Sequence, residues 1–161
     1  MEPRPRLASP VMEQKRKIVP PVYVLLTLLV MTGLYYLMPL ARIVPVPWSY
    51  LGAILVAFGI GLSITGATSF RRAGTAVIPF ERSTALVTHG LYRMTRNPMY
   101  LGMVTALTGA AVLFGTLSAF LPIPFFVWII QANFIRGEER FLEEIFGEPY
   151  RAYKKKVRRW L

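Results

Sequence analysis

Three stretches without a single charged residue limit what this chain can become. Lys17 and Arg42 enclose 24 such residues, "IVPPVYVLLTLLVMTGLYYLMPLA", Arg42 and Arg71 enclose 28 more, and 39 lie between Arg96 and Arg136. A helix needs about 20 residues to cross the hydrocarbon core. The first two runs therefore each predict one span, near 18–41 and 46–70. The third would reach about 58 Å as a single helix at ~1.5 Å per residue, nearly twice the core. "FGTLSAFLPIP" supplies the glycine, serine and prolines for a turn or a kinked helix start, so two spans are expected, near 98–115 and 119–136. The first run is too long and too well flanked for a signal peptide, lacks a small-residue cleavage pattern, and is expected to be retained.

The charges are arranged to match. Of 19 basic residues, five precede the first span, five lie between the second and third, eight follow the fourth, and only Arg42 falls elsewhere. The positive-inside rule places both termini in the cytosol, which makes the chain a multi-pass integral membrane protein. In a soluble protein a net charge of +11 would raise nucleic-acid binding; blocks of charge bordering apolar runs argue for a membrane face and no nucleic acid. The chain has no cysteine, no aspartate and one histidine, His89. Thiolate sites, a multi-histidine metal centre and a Ser-His-Asp triad are thereby excluded, and no metal is expected.

The predicted fold class is all-α: a single domain over 1–161, a membrane helical bundle of about four transmembrane helices. It carries a basic N-terminal segment (1–17) and a helical C-terminus (137–161). Gly52, Gly59 and Gly66 recur every seven residues, and Gly59 with Ser63 makes a small-xxx-small pair suited to close helix packing. "RGEERFLEEIFGEPY" continues the fourth helix as an amphipathic extension, with Gly147 as its cap and Pro149 opening a short amphipathic helix. The basic tail "YRAYKKKVRRWL" reads as a surface element lying on an anionic leaflet.

Two clusters gather at the basic face. Asn97 before Pro98 reads as an N-cap and first-turn proline, so the third span opens there with its positive dipole end beside Arg93 and Arg96, flanked by Tyr92 and Tyr100. The alternative is that these arginines and tyrosines are ordinary interfacial anchors. At the exit of the fourth span stand Arg136, Glu138, Glu139 and Arg140. Paired carboxylates at a membrane boundary are costly unless hydrated, paired or used for binding. Glu143 and Glu144 read instead as a solvated face, with Arg140 and Glu144 paired at i,i+4.

"GTAVIP...LVTHGLYRMTRNPMYLG" followed by "EERFLEEIFGEPYRAYKKKVRRW" resembles the isoprenylcysteine carboxyl methyltransferase family, integral-membrane enzymes related to the phospholipid methyltransferases. The likeness covers residues 70 to 161, and the first two spans only in hydrophobic layout. The resemblance implies methyl transfer from S-adenosylmethionine to a lipophilic acceptor entering from the bilayer, first of all the carboxylate of a prenylated cysteine. It implies a cofactor site of Tyr92, Arg96, Asn97, Pro98, Tyr100, Glu138 and Glu139, with Arg96, Asn97 and Glu139 as its catalytic members and Arg136 and Arg140 holding the acceptor. Asn97 stands where many members have histidine; it hydrogen-bonds but does not titrate near neutrality. An ionised carboxylate acceptor needs no general base, only alignment in a site that excludes water. Phospholipid N-methylation, thiol S-methylation, a sterol-reductase-like oxidoreductase and a catalytically silent membrane binder are the alternatives.

Overall fold

The computed structural model describes residues 19–74 and 85–161; the basic segment 1–17, Arg82 and most of "GTAVIP" lie outside the described residues. Those described form an all-α bundle. Helix α1 (Pro20–Leu37) opens on two prolines and ends at Met38, the residue before Pro39, where the helical conformation is disfavoured. Helix α2 (Leu51–Arg72) follows a single 3₁₀ turn, Trp48–Tyr50, and carries Arg71 and Arg72 at its negative dipole end. Helix α3 (Pro98–Phe114) starts at its proline and stops at Gly115, whose φ of 73° only glycine adopts freely. Thr116 is extended, and α4 (Leu117–Phe146) runs for 30 residues. A fifth helix, α5 (Glu148–Lys156), is set off by Gly147 at φ 56° and begins with Pro149 in its first turn.

Three of these helices, counting the 3₁₀ turn with α2, are long and apolar enough to cross a membrane; α3 is a shorter apolar helix of 17 residues. Only the apolar part of α4, residues 117–135, is suited to hydrocarbon, and the charged part from Arg136 projects beyond it. Leu25, Leu29, Ile54, Phe58, Phe125 and Trp128 are all more than half exposed. So large an apolar surface is unusual in a soluble monomer and ordinary against lipid.

Between α2 and α3 the backbones nearly touch. A Cβ on Gly59 would lie 2.5 Å from both the Ala106 nitrogen and the Gly102 oxygen, and Cβ atoms on Gly52 and Gly66 would collide with Leu113 and Met99. Gly102 and Gly109 are the matching small residues on α3. Ser63 Oγ adds a 3.0 Å hydrogen bond to the Met99 carbonyl. Dispersion and this bond hold the pair, since lipid supplies no hydrophobic drive between helices. On the other side of α3, Met31 of α1 joins Leu107, Ala111, Phe126, Ile130 and Phe134 in one core, with Tyr23 edge-on to Phe134 at 5.6 Å.

The end distant from the basic clusters is closed by main chain. Ile43 and Val44 donate to the Gly115 carbonyl at 2.9 and 3.1 Å, and Leu117 donates to the Ala41 carbonyl at 3.0 Å. At the basic end a second, smaller core of Tyr150, Tyr153 and Val157 packs with Leu86, Leu142 and Phe146. At the basic-end edge of the first core α4 makes one π turn, Gln131–Ile135, which contributes Phe134 to that core.

Gly59→Leu should force α2 and α3 apart and destabilise the protein by about 1–3 kcal/mol, the usual cost of overpacking. Gly61→Leu, at a position where a Cβ meets nothing within 4 Å, should be nearly neutral. Thermal melting of both variants in detergent checks this.

Candidate functional site

The mouth of α3 is reached from three directions. A 3₁₀ turn, Gly90–Arg93, delivers Tyr92; the π turn and extension of α4 deliver Glu138 and Glu139; and the C-terminal segment folds back over both. Glu139 is buried, and its carboxylate meets Arg96 Nη2 at 2.9 Å and Arg159 at 3.0 Å (Nε) and 2.6 Å (Nη2). Glu138 Oε1 accepts from the Tyr100 hydroxyl at 2.9 Å. Burial raises the Glu138 carboxyl well above the usual carboxylate range, against the lowering effect of the Tyr100 bond and with the negative Glu139 adding to the rise.

Tyr92 is buried, edge-on to Phe70 at 5.2 Å, with its carbonyl accepting from Tyr153 Oη at 2.7 Å. Burial pushes its phenol upward, reinforced by Tyr153 and Glu138, so at neutral pH it is a donor. Among the described residues its hydroxyl nevertheless has no hydrogen-bond partner, and the buried Arg96 Nε has none either. Native interiors rarely leave such atoms unpaired unless a ligand or water completes them.

Asn97 occupies the N-cap position of α3 and its carbonyl accepts from the Leu101 amide at 2.9 Å, but its side chain makes no capping hydrogen bond. Its side-chain amide donates to the Arg159 carbonyl at 2.9 Å, which also accepts from Thr95 Oγ1 at 3.1 Å. The Arg96 amide donates to the Arg158 carbonyl at 3.0 Å. Residues 157–160 are thus a strap across the mouth, finished by Trp160 Nε1 bonding Gln131 Oε1 at 3.1 Å on the π turn. The tail expected to lie on the leaflet is also docked on the protein, with Tyr150, Tyr153 and Val157 buried inward and Lys155, Lys156 and Arg158 exposed. The spacing of those three, i, i+3 and i+7, is the helical stripe that would have announced it.

Arg159, Tyr150, Tyr153 and Thr95 are therefore site neighbours that sequence reasoning missed. Pro98 is buried in the first turn of α3. Arg136 and Arg140 are exposed on the extension, Arg140 Nε bonding the Arg136 carbonyl at 3.3 Å, and neither joins the Glu139 cluster. Arg93 and His89 are exposed too. Glu143 is no free surface acid: Arg151 and Lys154 meet it at 3.0 and 2.9 Å and dock α5. Those partners hold its carboxyl below the ordinary carboxylate range. Among the described residues there is no cluster of acids and histidines fit for a metal.

A membrane-embedded helical bundle with a buried, doubly charged polar site at one mouth is the class these features define. The family model for phospholipid methyltransferases matches residues 48–149, and the chain belongs to that family. A probable protein-S-isoprenylcysteine O-methyltransferase of Oryza sativa subsp. japonica is 31% identical over 111 residues, covering 68% of this chain and 58% of the relative. Protein-S-isoprenylcysteine O-methyltransferase A of Arabidopsis thaliana is 31% identical over the same length, covering 68% and 56%. The Schizosaccharomyces pombe protein-S-isoprenylcysteine O-methyltransferase is 35% identical over 72 residues, covering 45% and 30%. The chain spans under two thirds of the length of each of these relatives. No solved structure matches it.

A depressed folded-state value means that the Glu143 contacts stabilise above the ordinary carboxylate pKa and fade as pH falls through the lowered value. The melting temperature of the wild type should exceed that of Glu143→Gln at neutral pH, and the gap should close on acidification through that value, read by melts across a pH series.

Proposed function

We propose that this protein transfers a methyl group from S-adenosylmethionine to the carboxylate of a prenylated cysteine at the cytosolic membrane surface. The observation that carries this reading is the pair of unsatisfied buried atoms, Tyr92 Oη and Arg96 Nε, in a site of mixed charge at the mouth of α3. The residues present fit the cofactor. Arg96, beside the first turn of α3, suits its carboxylate; Tyr92 and Glu138 suit its hydroxyls and ammonium group. Glu139, whose two oxygens are already taken by arginines, serves as their anchor, and Asn97 holds the strap closed over Pro98. When bound, S-adenosylmethionine supplies an electrophilic methyl on a sulfonium. An ionised carboxylate acceptor would need no general base there, so the residues of this chain would have to align it with that methyl and exclude water.

Arg136 and Arg140, exposed where α4 leaves the apolar layer, suit an acceptor carboxylate arriving from the bilayer. Lys155, Lys156 and Arg158 are also exposed and suit an anionic leaflet. The raised Glu138 supports a second reading in which an amine headgroup is the acceptor, since an amine must shed a proton and a carboxylate of elevated pKa can take it. The two are separated by offering purified protein a farnesylcysteine analogue and phosphatidylethanolamine side by side, with radiolabelled S-adenosylmethionine.

The distribution of basic residues puts both termini inside, so reporter fusions after Pro45, Ala85, Thr116 and Leu161 should read out, in, out, in; an external C-terminus would overturn the cytosolic site. Arg96→Ala should weaken S-adenosylmethionine binding by about 1.5–3 kcal/mol. Glu138→Gln should slow methyl transfer about 10²-fold or more, some 2.7 kcal/mol, whereas Glu144→Gln should stay within a few-fold. Equal, small effects at all three positions would return the arginine to the role of an interfacial anchor and the glutamates to that of a solvated helix face.

A further inference from the structure

Arg159 lies in the C-terminal run that carries the family resemblance but is not among the site residues which that resemblance implies, yet it makes the shortest contact to Glu139, 2.6 Å from Nη2 to Oε2. Its guanidinium faces both oxygens of Glu139, and Arg96 shares Oε1. The side chains of Arg96 and Glu139 are 10% and 9% exposed, that of Arg159 34%. Residue 159 is also held from behind, its carbonyl accepting from Thr95 and Asn97, and its neighbour Trp160 is tied to Gln131. A carboxylate gripped by a planar fork cannot rotate about its last torsion, and whatever it holds with its shared oxygen is fixed as well. What it holds is the Arg96 guanidinium, whose Nε has no acceptor among the described residues.

We infer that Arg159 is a positioning residue for the cofactor site: acting through Glu139, it fixes Arg96 so that the free Nε stands at the mouth of α3. This rests on the proposed function, in which Arg96 meets the cofactor's carboxylate. Without Arg159, Glu139 turns toward Arg96 alone and competes with an incoming carboxylate for the same guanidinium. Closure of the strap and affinity for the cofactor are then one property.

The test uses the full chain in detergent, with S-adenosylmethionine and S-adenosylhomocysteine binding measured by calorimetry. Arg159→Gln should weaken both by about tenfold or more, the loss expected of one charge-assisted contact. Arg159→Lys should recover part of the loss, since an ammonium meets a carboxylate at one point but not as a fork. Arg158→Gln removes the same charge one residue away and should stay within about twofold, as exposed charges do. Because Arg159 works through Glu139, adding Arg159→Gln to Glu139→Gln should cost nothing more. The inference is overturned if wild type binds and Arg159→Gln binds within twofold of it, or if the two single losses multiply in the double variant. Hydrogen exchange at the Arg96 amide, bonded to the Arg158 carbonyl, reads the lock without cofactor and should quicken in Arg159→Gln but not in Arg158→Gln. A wild type that binds neither compound while its exchange still depends on Arg159 overturns the proposed methyl transfer and leaves the lock standing.

Discussion

A carboxylate buried at the edge of a low-dielectric slab has to be compensated, and the compensation of Glu139 organises the basic end of this protein. One guanidinium comes from the loop before α3 and the other from the far end of the chain, so satisfying a single acid joins three segments distant in sequence. Removing the acid from such a site would leave two guanidinium groups without their counter-charge, a loss of several kcal/mol by the usual measure. Within that frame the neighbouring Glu138 is free to differ. It is bound by a neutral phenol, and its carboxyl is shifted toward the protonated form while that of Glu139 is locked between cations. Two adjacent acids thus acquire separate chemical characters from their surroundings alone.

The fold class was legible because apolar length and charge spacing are one-dimensional properties. Pro98 starting α3, Gly147 ending α4 and the seven-residue glycine recurrence all act locally or along one helix face, and each can be seen in the chain as written. What escaped was long-range or ambiguous. Asn97 has the sequence of an N-cap, but the amide bonds a carbonyl 62 residues away; nothing near it signals that choice. In the tail, the run of lysines outweighs the stripe of Tyr150, Tyr153 and Val157, so amphipathicity that belongs to protein reads as lipid-facing. Arg159 and Glu139 stand on different elements, so no spacing rule pairs them. The π turn was unannounced, although Gln131 and Asn133 are the first polar side chains of α4 after Ser118.

Membership in the family fits this division. The matched region, residues 48–149, takes in α2, α3 and α4 with Tyr92, Arg96, Tyr100 and both acids of the site. It stops short of the strap. The packed glycine seam and the mouth of α3 are therefore in the shared part, and the segment that closes the mouth, residues 157–160, lies beyond its C-terminal limit.

The closure at the distant end has a different consequence. There the chain is stapled by Ile43, Val44 and Leu117 through peptide groups and not through side chains, so the join is indifferent to most residue identities provided Gly115 keeps its left-handed turn. The basic end depends on individual functional groups. Tolerance to substitution should therefore be graded along the length of the bundle, with one rim free to drift in sequence while the other is held by its chemistry, and a variable loop at the distant rim would report nothing about whether the site at the other end is intact.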